Sequence, residues 1–145
     1  MAKNFVKTHP FVEEIAKGVH NLDTSGAGGD QLKVALTNTD PGTACEKYAD
    51  LTTPLSDGLF DGANPFNVTV NSSEQTTGEY KLVVADLTLE ATSEAGPFRY
   101  VVLYNDGATN DEVIGYYDYE SSITLNPGDT FKIDWSQTDG VLTIE

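Results

Sequence analysis

The sequence predicts a mainly β protein: an antiparallel β-sandwich of jelly-roll type preceded by one N-terminal α-helix. Three observations predict it. One amphipathic stretch lies at 8–22, a glycine-rich break follows at 25–30, and seven or eight short apolar runs separated by turn signals fill the remainder. The chain divides into an arm and helix at 1–24, a linker at 25–31 and a β domain at 32–145.

Taken in order, the helix comes first. Thr8 stands where a cap belongs, Pro10 suits the first turn, and Glu13 and Glu14 lie where the helix dipole favours acids. Phe11, Ile15, Val19 and Leu22 recur at helical spacing with Val12 beside them, so the helix is expected to end near 19–21. Gly18 weakens its middle. Residues 1–7 read as an arm that orders on meeting something, and SGAGGD as a flexible linker. Strands are expected at 32–39, 66–71, 79–91, 99–105, 112–119, 123–135 and 140–145. Residues 43–65, with two Asp-Gly pairs and two prolines, read as a long surface loop.

The stretch GPFRYVVLYNDG (96–107) sets a specific problem. Phe98, Tyr100, Val102 and Tyr104 point one way, while Val101 and Leu103 point the other. A strand wetted on one side alternates cleanly, so this one needs cover on both faces. Strands 80–89 and 113–119 share the pattern. The N-terminal helix or a sister subunit is expected to supply the second cover. Arg99 is expected to reach an acid such as Glu94.

Eight basic and twenty-three acidic side chains give a net charge of −15. Such a surface repels phosphate backbones, which argues against a nucleic-acid partner. No apolar run is long enough to span a membrane, and MAKNFVKTHPFVEE lacks the apolar core of a signal peptide. With Cys45 as the single cysteine, synthesis in a reducing cytoplasm is expected.

No catalytic signature appears, and the expectation is a protein that is not an enzyme and has no cofactor or metal. The Gly26–Gly29 run follows a helix where a dinucleotide fingerprint needs a strand. His9 and His20 sit at opposite ends of the expected helix, and the dipole explains His20. Cys45 lies beside Glu46, which raises a thiol pKa. The acidic turns at 105–112 and 57–62 lack the ligand spacing of a calcium loop.

FVEEIAKGVHNLDT, LKVALTNTDP, YKLVVADLTLEA, GPFRYVVLYND and VIGYYDYESSITLNPGDTFKIDW together resemble a family of small virion structural proteins of tailed bacteriophages. The resemblance spans nearly the whole chain. It implies a capsid decoration (cement) protein on the virion surface with a jelly-roll sandwich, its partner the major capsid protein. It implies no defined site residues. High negative charge suits a protein that must stay soluble until a shell presents its site. Self-association as a trimer or dimer is expected, with Lys3, Phe5, Lys7 and Phe11 as candidate partner contacts. Two other readings accompany it: a tail or neck component using the 43–65 loop, and a carbohydrate-binding module exposing Tyr116, Tyr119 and Trp135.

Overall fold

The computed structural model describes residues 4–145. These residues form ten strands and one α-helix: β1 (Val6–Lys7), α1 (His9–Ala16), β2 (Leu32–Thr37), β3 (Asn67–Val68), β4 (Val70–Thr76), β5 (Glu79–Val84), β6 (Leu87–Glu90), β7 (Ala95–Asn105), β8 (Val113–Leu125), β9 (Thr130–Ile133) and β10 (Leu142–Ile144). All pairings are antiparallel and fall into three sheets, ordered β1-β8-β7-β2-β3, β10-β5-β4 and β6-β9. The arrangement is sandwich-like, although this order does not spell out a jelly roll.

The main core lies between the sheets. Leu32, Val34, Leu36, Val101, Leu103 and Ile114 of the five-stranded sheet share one apolar cluster with Leu82, Val84, Leu89, Ile133 and Leu142 of the others. Trp135 closes it, fully buried against Tyr117. The long 79–91 run is two strands, because Asp86 interrupts it. Its carboxylate accepts from the Trp135 backbone N–H at 3.0 Å and pairs with Lys132 at 3.2 Å, turning the chain from one sheet to the next.

β7 is central, and both its faces are covered. The second face carries Tyr100, Val102 and Tyr104 with Ala35, Val113 and Tyr116, and Cys45, Tyr48 and Leu51 close over it. Neither the helix nor a sister subunit is needed there: the cover is residues 42–55, the front of the segment expected to be a surface loop. This strap is fastened along its length. Tyr48 N–H donates to Asp111 O at 2.9 Å and Val113 N–H to Glu46 O at 2.8 Å. At the far end Leu55 N–H donates to Leu36 O at 2.8 Å, and Thr37 Oγ1 donates to Thr52 O at 2.6 Å. Backbone groups that would be orphaned over an apolar face are thus paired.

Phe98 does not stay with Tyr100. β8 runs from Ile123, opposite Phe98, to Asp118, opposite Tyr100, so 119–122 form a bulge. The shift puts Phe98 in the main core beside Phe131. Arg99 pairs with Asp118, not Glu94, through two bonds of 2.7 and 3.0 Å. Asp118 stands opposite Tyr100, the next residue along β7, while Glu94 lies before the strand.

The helix is shorter than its apolar period suggests. It stops at Ala16 because Gly18, at φ 73°, adopts the left-handed conformation that ends helices. Gly18 N–H donates to Ile15 O and Val19 N–H to Glu14 O, satisfying two terminal carbonyls. Thr8 makes no side-chain cap; its buried hydroxyl donates to Val113 O at 3.3 Å. The linker is pinned as well, since Ser25 exchanges two bonds with Val70 and Asn21 N–H donates to the Asp30 carboxylate. Residues 6–7 are a strand on the β8 edge, not an arm awaiting a partner.

Cys45 reports on the strap. Burial, with Asp50 adding to it, pushes its thiol pKa up to about 11. In folded protein at pH 8, Ellman's reagent is expected to leave Cys45 unmodified for hours. Leu51→Ala removes a buried anchor. It should cost roughly 2–4 kcal/mol in urea unfolding and make the thiol reactive at least tenfold faster. An unchanged labelling rate would place Leu51 outside the cover.

Candidate functional site

The four candidate contacts meet different fates. Lys3 lies outside the described residues. Phe5 is half-buried, edge-on to Tyr117 with ring centroids 5.2 Å apart. It packs over Gly115, where a Cβ would come within 2.6 Å of the Phe5 ring and 2.3 Å of Val6 O. Only glycine admits the N-terminal strand at this edge. Lys7 is exposed, and its Nζ donates to Thr143 O on β10 at 2.8 Å. Phe11 is not a surface contact: it is 1% exposed and belongs to the main core. The helical stripe that singled it out is the stripe that must be buried.

Val12, one position along, is the large apolar side chain left exposed among the described residues, at 65%. It rims a groove between α1 and β10. Three clefts, of about 410, 280 and 680 Å³, follow one another along it. The first and second share Lys7 and Thr143; the second and third share Ile15 and Ile144. β10 is the edge of its sheet, so its outer side borders this groove.

Behind the groove a polar network fixes the helix end. His20, its side chain fully buried, pairs through Nε2 with Glu14 Oε2 at 2.9 Å. Its Nδ1 accepts from Asn105 Nδ2 at 3.1 Å, so the tautomer that satisfies both partners carries its proton on Nε2. Asn105 Nδ2 also donates to Asp30 at 2.8 Å, and Asn105 Oδ1 accepts from the N–H groups of Gly107 and Ala108. The network joins α1, the linker and the 105–112 turn. His20 lies past the helix and answers to these partners, not to the dipole.

Burial raises the Glu14 pKa, with His20 opposing the rise and Glu112 and Glu46 adding to it. Within the 105–112 turn Glu112 accepts from Asn110 N–H and Nδ2, both at 3.1 Å, and Asp106 pairs with Lys33 at 3.4 Å. Among the described residues no three His, Cys, Asp or Glu side chains converge to hold a metal.

The aromatic platform does not form. Trp135 is 1% exposed, Tyr116 lies under the strap, and Tyr119 packs against Phe131 on the main-core side. Comparison with protein-family models, curated proteins and solved structures finds no match to this chain.

Glu14 gives a pH signature with a fixed sign. A carboxyl whose folded pKa lies above its unfolded value adds most stability when protonated, and that contribution is lost as pH rises through the folded value. Gln keeps an acceptor for His20 without the charge. Glu14→Gln should therefore gain stability relative to the parent as pH rises from 4 to 7, measured by urea unfolding at each pH. A parent that gains on the variant over that range would show that the ionised carboxylate stabilises the fold.

Proposed function

We propose that this chain is a structural component of a tailed-bacteriophage virion, a decoration protein that binds the outside of the capsid shell and stabilises it. The reading rests on the resemblance of its sequence segments, above all GPFRYVVLYND. The observation that carries it further is mechanical. That segment is the central strand of a body closed on both faces by its own chain, pinned from Thr8 through the linker to the strap. A cement protein transmits load between shell subunits and needs this kind of body more than a reactive site. Its charge of −15 keeps copies apart in solution and directs it to a basic partner.

The tail or neck reading loses the front half of its loop, and the glycan reading loses two of its three aromatics. Residues 42–55 are spent on the second sheet face, and Trp135 and Tyr116 are buried. Dimer or trimer formation likewise loses its motive, since neither face of the large sheet requires a sister subunit.

The test is co-sedimentation of purified protein with isolated, expanded shells of the phage that encodes it. Saturable binding of many copies per shell, with the coated shells more resistant to heat, is the expected result. Binding weakens with salt if the acidic surface steers it. Shells that stay bare at micromolar protein, or copies confined to one vertex, would overturn the reading.

A further inference from the structure

We infer that the outer edge of β10, with the groove beside α1, is a docking site for an extended segment of another protein, apolar at alternate positions and basic between them. The inference rests on the decoration reading for the identity of that protein, but not for the existence of the site.

Three independent features meet there. First, β10 pairs with β5 on one side alone, and edge strands offer backbone donors and acceptors to an added strand. The Thr143 carbonyl is already met from the open side by a side chain, Lys7 Nζ. A lysine stands where a neighbouring strand's N–H would stand. Second, the groove floor is apolar: Ile15 and Ile144 lie at its middle, Phe5 and Tyr117 at one end, and Tyr80 at the other. Val12 rims it. The apolar positions of an entering strand would bury against this floor.

Third, the charge selects the occupant. Asp139 lies at one end, Asp23 at the other and Glu145 alongside, and Lys7 is the one lysine or arginine among the described lining residues. A second copy of this chain would bring −15 against −15. Of its own edge strands, β4 is polar, with Glu74 within NSSEQT, and the apolar side chains of β9, Phe131 and Ile133, are already packed in its own core. A basic segment fits where an acidic one is repelled.

The experiment has two arms. In the first, the capped heptapeptides KVKVKVK and EVEVEVE are titrated into isotope-labelled protein at physiological salt and read by amide chemical shifts. The lysine peptide is expected to shift amides of 142–144 and 5–7, with an affinity at least tenfold above that of the glutamate peptide. Thr143→Pro removes an edge N–H, and Val12→Lys replaces the apolar rim with a like charge. Each should weaken the lysine peptide at least fivefold at an unchanged unfolding midpoint. Shifts spread over the acidic surface, equal affinities, or variants without effect would overturn the site. So would concentration-dependent self-association abolished by Val12→Lys, which would make a second copy the occupant. In the second arm, the variants are sedimented with shells. Parent protein that binds peptide but not shells would sink the decoration reading and leave the site standing. Val12→Lys that coats shells as the parent does would remove this groove from the docking surface.

Discussion

A strand with apolar side chains on both faces needs two covers, and most of this structure follows from how β7 obtains them. One cover is the ordinary one: the smaller sheets pack on Val101 and Leu103 through the main core. The other is a strap without regular secondary structure beyond a single 3₁₀ turn, holding Cys45, Tyr48 and Leu51 over Val102, Tyr104 and Tyr116. An irregular segment can lie over an apolar face when its backbone polar groups are paired. The bonds from the strap to Asp111, Val113, Leu36 and Thr37 meet that need at both ends. The second face is rich in tyrosines whose rings pack on one another, Tyr48 against Tyr104 at 4.9 Å between centroids and Tyr100 against Tyr116 at 6.2 Å.

The strap also governs what the rest of the chain is free to do. With the large sheet closed on both sides, the N-terminal helix turns to another task. It plugs the main core with Phe11 and leaves Val12 outside. Its end is held by His20, Glu14, Asn105 and Asp30, so hydrogen bonds tie the helix, the linker and the 105–112 turn together. Among the sheet edges, β10 is the one that borders the groove beside the helix. A protein that meets a large assembly through a sheet edge keeps its own core sealed while it adds or sheds a partner.

Much of this was legible in the residues, and the failures have physical causes. The helix start, the strand succession and the need for cover on both faces of 98–104 all follow from periodicity. The identity of the cover does not. Cys45, Tyr48 and Leu51 recur every third residue, but within a stretch whose prolines and Asp-Gly pairs signal irregular backbone, where spacing carries no fixed direction. Gly18 acts on the helix through its positive φ, which helix propensity does not register. Asp86 within an apolar run was the available sign that 79–91 is two strands, since aspartate is depleted in strand interiors. Of the candidate contacts, Phe5 and Lys7 lie at the groove, whereas Phe11 is buried in the core. The same helical period that flags an apolar residue also sends it inward, and the useful residue was its off-stripe neighbour Val12.

The chain itself covers the second face of β7. Amide hydrogen exchange in dilute, monomeric protein tests it most directly, at Tyr48 and Val113, whose N–H groups tie the strap to the sheet. Protection of both close to that of the Val101 and Leu103 amides in β7 is the predicted result. Exchange at Tyr48 and Val113 within seconds, while β7 remains protected, would contradict it and return the face to a partner.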